Sequence, residues 1–333
     1  AGVLDNRGFN LDFFGNPATN WVSTGFCNAR APFYFTTRKY GIYTESTAFG
    51  HYTVAVSGNT SFSFNESRIK YHILYGNPRQ ILQNYTTIAG GVYMPPDWAF
   101  GVIWWRDDHY QDLDGLPSAQ ARVLEDARML GQLAIPSAGM WIDRPFTAPH
   151  GSWGWGGLDA AHDKILFDPD PGGFPNPAAM VSELNARGLQ LMTWISNRMA
   201  AEMYTEALAR GFLFTGYQGS DQAADLSIPA AYAWFRDRLH SLQILGTRGY
   251  KIDRADEGEM PNSAQNRNTV LCHQAAADSM GNTPEGPNNA LIFARSTFDK
   301  SRRYCGVWNG DTEARWDGLQ ISAKNVVRCA NIN

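Results

Sequence analysis

The chain has 333 residues, enough for one large domain or two smaller ones with a sizeable core. Only 18% of the residues are charged, the net charge is −4 and no basic run stands out, which excludes nucleic acid as the main partner. No apolar run reaches the roughly 18 residues of a transmembrane helix, so a membrane-spanning protein is excluded too. Because the sequence starts at Ala1 rather than at a methionine, we expect a processed or cut chain.

Residues 1–72 are predicted to form β-structure. The stretches "APFYFTTRKYGIYTES" and "HYTVAVSGNTSFSFNES" alternate apolar and polar residues between Gly and Asn turns. In residues 73–97, the pair Asn77-Pro78 predicts the start of a short helix, and Met94-Pro95-Pro96 ends a linker. We therefore expect a β-domain, a linker helix and a proline-rich lead-in to a second domain.

Residues 98–333 alternate short apolar runs with helical stretches, which is typical of a parallel α/β sheet or barrel. The six candidate strands are 98–105, 137–143, 189–196, 249–253, 290–296 and 304–311. Helices are predicted between most of them, at 118–133, 176–188, 229–246 and 266–281.

Each candidate strand ends in polar or charged residues. These ends are Arg106-Asp107-Asp108, Asp143, Ser196-Asn197, Asp253, Arg295 and Asp311. In a (β/α)8 barrel, the active site lies at the carboxyl ends of the strands. The alternative, that these are ordinary solvated loops, stays open at this point.

The stretch "GYKIDRADEGEMPN" gathers four carboxylates, Asp253, Asp256, Glu257 and Glu259. Side chains alternate along a strand, so Lys251 and Asp253 share one face, which points inward in a barrel. A buried carboxylate needs a partner, and Lys251 can keep it ionised, as a nucleophile must be. The sequence therefore predicts Asp253 as a nucleophile and places the other three acids in the following loop.

Asp311 is a second acid, at the end of a strand that lies two strands after the one ending in Asp253. Glycoside hydrolysis needs such a pair, because one carboxylate attacks the anomeric carbon and the other acid protonates the leaving oxygen. Alternatively, Asp311 is the N-cap of a helix that starts near "TEARWDGL", since Asp is a favoured cap. Spacing leaves these two interpretations open.

Two features bear on whether the protein is secreted. Four cysteines permit two disulfides, but they allow three pairings and the spacing chooses none. The cysteines are Cys27, Cys272, Cys305 and Cys329. Three sequons, at Asn59, Asn65 and Asn84, predict a glycosylated and secreted protein.

Several motifs, in the same order along nearly the whole chain, resemble glycoside hydrolase family 31, the α-glucosidase and α-xylosidase family. "ARAPFYFTTRKYGIYTES" is similar to the family's N-terminal β-sandwich, and "YGNPRQILQNYTTIAGGVYMPPDWAFG" to the segment leading into its barrel. "MWIDRP" stands where the family has W-x-D-I-D, and "ILFDPDPGGFPNPAAM" resembles F-x-F-D-P-x-x-F-P-(DN)-P-x-x-M. "ADLSIPAAYAWFRDRL" and "ARSTFDKSRRYCGVWNGDTEARWDGLQIS" resemble the segments around the family's two catalytic acids.

The resemblance implies a (β/α)8 TIM barrel preceded by an N-terminal β-sandwich portion. Residues 1–72 would be the C-terminal part of that sandwich, 73–97 the linker helix and proline-rich lead-in, and 98–333 the catalytic barrel, incomplete at its C-terminus. Six of the eight family strands are found, so we expect a second polypeptide or a further segment to complete the barrel. No cofactor and no metal are implied.

The resemblance also implies roles for single residues. Asp253 matches the nucleophile, Asp311 the acid/base, Arg295 the arginine near the −1 sugar, Asp143 the acid that holds a sugar hydroxyl, and Trp308 the aromatic before the acid/base. Further substrate-binding candidates are Lys251, Trp105, Asp107 and Trp194. The expected function is a retaining, exo-acting α-glycosidase of the α-glucosidase type, whose two carboxyl groups stand about 5–5.5 Å apart.

Three departures from the family pattern touch substrate choice. Pro145 replaces the second Asp of W-x-D-I-D, and "KIDRADEGE" and "WWRDDHY" differ from the usual segments. An aromatic loop, "GSWGWGG", is suited to stacking on a sugar. Three alternatives therefore stay open: α-galactosidase-type specificity, a transglycosylase with an acceptor site at Trp153 and Trp155, and a non-catalytic carbohydrate binder. The last predicts loss of one acid, whereas both Asp253 and Asp311 are present.

Overall fold

The computed structural model describes residues 9–13, 29–56, 58–107, 115–143, 174–199, 201–217, 222–253, 260–283, 288–308 and 315–329. The N-terminal part contains β1 (Phe9–Phe13), β2 (Ala29–Arg30), β3 (Phe33–Phe35), β4 (Tyr40–Thr44), β5 (Gly50–Val56), β6 (Asn59–Phe64) and β7 (Tyr71–Tyr75). Antiparallel pairing builds two sheets, in the orders β1-β5-β6 and β3-β4-β7. The prediction of β-structure here is confirmed for the described residues, while the domain boundary at residue 72 stays a prediction.

A linker helix, α1 (Pro78–Ala89), packs on the sheet that contains β4 and β7. Asn77 and Gln80 form a reciprocal capping box, and Pro78 occupies the first turn, where its missing N–H costs nothing. Ile81, Tyr85 and Ala89 lie on one face of the helix and are buried. The predicted helix start at Asn77-Pro78 is therefore confirmed.

The predicted strand at 98–105 starts too early. Residues Asp97–Phe100 form a 3-10 helix, closed by a hydrogen bond from Gly101 N to Trp98 O of 3.0 Å, and β8 (Ile103–Asp107) follows it. The extended Pro96 ends the linker, so the chain turns once before it enters the sheet. Apolar content alone does not distinguish such a turn from the start of a strand.

Among the described residues, six parallel strands form the central sheet, as predicted. After β8 come β9 (Gly139–Asp143), β10 (Gln190–Ser196), β11 (Gly249–Asp253) and β12 (Leu291–Ala294); β13 (Thr297–Phe298) pairs elsewhere, and β14 (Gly306–Val307) completes the sheet. The order is β14-β12-β11-β10-β9-β8. Gly249 allows β11 to approach β12, because a Cβ there would lie 2.1 Å from Leu291 O. This succession of neighbouring parallel strands is a partial (β/α)8 barrel.

Helices follow the strands. They are α2 (Ala119–Gln132), α3 (Pro177–Ala186), α4 (Ala201–Ala209), α5 (Pro229–Leu245), α6 (Gln265–Ser279), a 3-10 helix (Asp299–Arg303) and α7 (Trp316–Cys329). The four predicted helices are confirmed, whereas α4 was missed. The last helix begins at Trp316, inside the segment "TEARWDGL", but Asp311 lies outside the described residues, so the alternative that it caps this helix stays open. Among the described residues, no helix is both long and apolar enough to cross a membrane.

Cys272 on α6 and Cys305 just before β14 are buried thiols, so neither forms one of the two disulfides that four cysteines permit. Cys305 Sγ lies 3.7 Å from Ser301 O. Burial raises the pKa of the Cys305 thiol, which keeps it protonated. Cys27 and the side chain of Cys329 lie outside the described residues.

Candidate active site

Most of the polar strand ends named above are buried at one edge of the parallel sheet. Asp143, Ser196, Asn197, Asp253 and Arg295 each expose less than a tenth of their surface. For these positions the interpretation as ordinary solvated loops is wrong. They end or directly follow β9, β10, β11 and β12, whose carboxyl ends meet at the same edge, so the sheet gathers them into one site.

Asp253 is the last residue of β11, which is flanked by β10 and β12. Trp194 Nε1 donates a hydrogen bond of 2.9 Å to its Oδ2 atom. Arg295 Nε lies 2.5 Å from its Oδ1 atom, and Lys251 Nζ lies 3.5 Å from Oδ2. Two cations and one N–H donor therefore favour the carboxylate form, which a nucleophile requires.

The predicted pairing of Lys251 with Asp253 is confirmed, but Arg295 is the closer cation and Lys251 is shared. Lys251 Nζ also lies 3.5 Å from Oδ2 of Asp143, at the end of β9. It lies 4.5 Å from the ring centre of Trp141 and 4.9 Å from that of Trp308, within cation–π range. Lys251 Nζ is equally far from one oxygen of each carboxylate, so this buried cation links Asp143 and Asp253 across the site and does not pair with one of them alone.

Aromatic rings line the same side of the sheet. Trp141 meets Phe293 edge to face with ring centres 5.6 Å apart, and Phe293 meets Trp308 in the same way at 6.1 Å. Trp105 lies 6.2 Å from Trp141, donates from Nε1 to Asp143 at 3.4 Å, and remains 58% exposed. Such a wall offers apolar faces to a sugar ring beside polar groups that bind its hydroxyls.

The structure brings seven predicted site residues together: Asp143, Asp253, Lys251, Arg295, Trp105, Trp194 and Trp308. Of Asp107 the structure describes the backbone, which pairs with that of Asp143. Asp311, Pro145, Asp256, Glu257, Glu259, Trp153 and Trp155 lie outside the described residues. The acid/base assignment and the distance between the two carboxyl groups therefore stay predictions.

Two residues of the aromatic wall were missed, Trp141 and Phe293. Each stands two positions before a predicted site residue, Asp143 or Arg295, as Lys251 stands two positions before Asp253. The two-residue period of a strand places such pairs on one face, so the rule applied to β11 would also have found them on β9 and β12.

Trp194 differs in role from the substrate contact that was predicted for it. Its side chain is only 1% exposed, and its indole N–H is directed at the carboxylate of Asp253. The geometry makes it a group that positions the carboxylate.

A family model described as "Glycosyl hydrolases family 31 TIM-barrel domain" matches residues 92–332. The chain is 22% identical over 290 residues to "Alpha-xylosidase XylQ" of Lactiplantibacillus pentosus, covering 80% of this chain and 36% of the relative. It is 21% identical over 314 residues to an "Alpha-glucosidase" of Saccharolobus solfataricus, covering 79% of this chain and 42% of the relative. The chain thus spans less than half the length of each of these relatives.

Solved structures show the same fold. A cycloalternan-degrading enzyme from Trueperella pyogenes, in complex with cycloalternan, superposes with a TM-score of 0.74 at 19% identity, covering 99% of this chain and 50% of that chain. A cycloalternan-forming enzyme from Listeria monocytogenes, in complex with a pentasaccharide substrate, gives a TM-score of 0.74 at 17% identity, covering 99% of this chain and 34% of that chain.

Proposed function

Because this chain belongs to glycosyl hydrolase family 31, we propose that it carries the catalytic site of a retaining, exo-acting α-glycosidase. The family match over residues 92–332 confirms the resemblance inferred from the motifs. The relatives are longer than this chain, so an activity like theirs is proposed for it and not taken from the match. The substrate class is an oligosaccharide or glycoside with a terminal α-linked sugar.

The observation that carries the proposal is the environment of Asp253. In the first step an oxygen of this carboxylate attacks the anomeric carbon, the glycosidic C–O bond breaks, and the leaving oxygen takes a proton from Asp311. In the second step water attacks the anomeric carbon and gives its proton to Asp311, and the ester bond to Asp253 breaks. Arg295 and Trp194 hold the carboxylate in place, so little reorganisation is needed for attack.

The remaining groups fit sugar binding. The Asp143 carboxylate accepts hydrogen bonds from sugar hydroxyls and Lys251 donates to them, while the exposed ring of Trp105 packs against a sugar face at the rim. Pentose and hexose substrates are both candidates, since the relatives named above include an α-xylosidase and an α-glucosidase.

A panel of nitrophenyl α-glycosides tests the proposal. The glucoside, xyloside and galactoside are assayed with the wild-type chain, Asp253→Asn and the control variant Glu259→Gln. We expect hydrolysis of at least one glycoside, a loss on the order of 10³-fold or more in Asp253→Asn, and a mild effect in Glu259→Gln. Preference for the galactoside supports α-galactosidase-type specificity, and transfer products at high sugar concentration support transglycosylation. Binding of sugars without any turnover overturns the proposal.

We also propose that the protein is secreted and glycosylated, and that further strands complete its barrel. The side chains of Asn59, Asn65 and Asn84 are exposed, as glycan acceptors must be. Within the described residues the parallel sheet has six strands with β8 and β14 at its edges, and an uncovered edge of an apolar parallel sheet is unstable in water. Intact mass before and after enzymatic deglycosylation tests the first point. An unchanged mass in protein from a secretory host contradicts it.

A further inference from the structure

The segment that carries Arg295 leaves the barrel immediately after it contacts the site. Arg295 follows β12 and lies 2.5 Å from Asp253, while β13 (Thr297–Phe298), only two residues later, does not join the barrel sheet. Instead it pairs in parallel with β2 (Ala29–Arg30) of the N-terminal part. One short stretch of chain thus connects Arg295, the cation beside the candidate nucleophile, to the β-domain.

Asp299, at the other end of this stretch, is hydrogen-bonded to two tyrosines. Tyr43 on β4 donates to its Oδ2 atom at 2.7 Å, and Tyr85 on α1 donates to its Oδ1 atom at 3.2 Å. Asp299 is 6% exposed and both tyrosines are fully buried. Both carboxylate oxygens therefore accept hydrogen bonds, one from a hydroxyl of the N-terminal part and one from a hydroxyl of the linker helix packed on it, in a place where an unmade hydrogen bond is costly.

The backbone of Asp299 adopts the left-handed conformation, with φ of 43°. Residues other than glycine rarely adopt it, and it persists where surrounding contacts determine the conformation. Those contacts include Lys300, whose Nζ lies 3.0 Å from Glu45 Oε1, and Arg302, whose guanidinium lies 5.0 Å from the ring centre of Tyr85.

Burial and the neighbouring polar groups set the charge of this cluster. Burial raises the pKa of Asp299 to about 6, against the lowering effect of Tyr43, Lys300, Tyr85 and Arg302. Burial also raises the pKa of both tyrosines, so that their hydroxyls remain neutral donors. At pH 7 the cluster is an ionised carboxylate with two hydroxyl donors, which is a strong arrangement.

We propose that Asp299 is a positioning residue through which the N-terminal β-domain holds Arg295 against Asp253. The inference rests on the proposed function, since it assigns the β-domain a part in the same reaction. Tyr43 and Tyr85 act through Asp299, and none of the three is proposed to touch the sugar. Loss of these hydrogen bonds frees the stretch after β12, and Arg295 then stabilises the Asp253 carboxylate less well.

The test removes the two tyrosine hydroxyls and leaves the rings that pack the interface. Tyr43→Phe, Tyr85→Phe and the double variant are compared with Tyr52→Phe. Tyr52 is a matched control, because its buried hydroxyl lies 2.6 Å from Thr44 Oγ1 and donates to Pro32 O at 2.9 Å, and both of these partners belong to the N-terminal part. The measurements are kcat, KM, the pH dependence of kcat/KM, and the melting temperature.

We expect the double variant to lose about tenfold or more in kcat with KM changed by less than about threefold, since a small misplacement of a catalytic group is costly. The acidic limb of kcat/KM should move to higher pH, because that limb reports ionisation of the nucleophile in the free enzyme. Tyr52→Phe should leave kcat and the acidic limb of kcat/KM unchanged.

An unchanged kcat and acidic limb, with only a lower melting temperature, would show a purely structural role and overturn the inference. An equal loss of kcat in Tyr52→Phe would also overturn the inference. A wild-type chain that hydrolyses a glycoside in an Asp253-dependent manner separates these results from failure of the proposed function. A wild-type chain that hydrolyses none of the panel overturns both.

Discussion

Replacing Trp194 with phenylalanine removes the hydrogen bond to Asp253 and part of a buried ring. The indole N–H donates 2.9 Å from Oδ2, and both side chains are almost fully buried. A hydrogen bond to a charged group contributes about 1.5–3 kcal/mol. Since one pH unit corresponds to about 1.4 kcal/mol, the acidic limb of kcat/KM should rise by about one to two pH units. Arg295 and Lys251 remain to hold the carboxylate, so the protein should stay active.

The assay is the pH dependence of kcat/KM on the best nitrophenyl glycoside. Trp234→Phe is the matched control, because Trp234 on α5 is also buried, but its ring packs against that of Phe212 at 5.7 Å instead of donating to Asp253. Both variants lose ring volume and should lose similar stability, of about 1–3 kcal/mol. An acidic limb that moves equally in both variants, or in neither, would refute the assignment of Trp194 as a positioning group.

Three further predictions follow from the site and the fold. Asp311→Ala should lose most activity on substrates with poor leaving groups and regain part of it with azide; equal losses on good and poor leaving groups would contradict its role as the acid. Burial raises the pKa of Asp299 to about 6, so its contribution to the unfolding free energy should fall by about 3 kcal/mol as pH rises from about 4 through 6. Asp299→Asn should flatten that part of the stability curve, and an unchanged curve would contradict the burial argument. Denaturing gels with and without reductant, plus intact mass, should reveal a second polypeptide or further chain beside β14; a single active monomer of about 37 kDa would refute the expectation.

Local pattern was sufficient for most of the barrel. The apolar runs that end at Asp143, Ser196 and Asp253 became β9, β10 and β11, because the strands of a parallel sheet are buried on both faces and leave an unmistakable composition. The alternation in "YKID" correctly placed Lys251 beside Asp253. By contrast, α4 was missed because its nine residues carry only a short periodic signal between two longer elements.

Contacts between segments that lie far apart along the chain could not be predicted from the sequence. Nothing in the residues around Tyr43 indicates that its hydroxyl meets Asp299, which lies 256 positions later. The position of Arg295 nearer to Asp253 than Lys251 depends on the register between β11 and β12, in which Lys251 faces Phe293. Such pairings follow from tertiary packing, and single-sequence patterns carry no information about them.

In the proposed mechanism, Asp253 forms a covalent bond to the sugar. A fluorinated glycosyl fluoride of the preferred sugar slows the second step and traps the intermediate. Digestion and mass spectrometry of the treated protein should then find one glycosyl group on the peptide that contains Asp253, and none on that peptide in Asp253→Asn. A glycosyl group on Glu257 or Glu259 instead, or an active enzyme that accumulates no labelled peptide, would contradict the account.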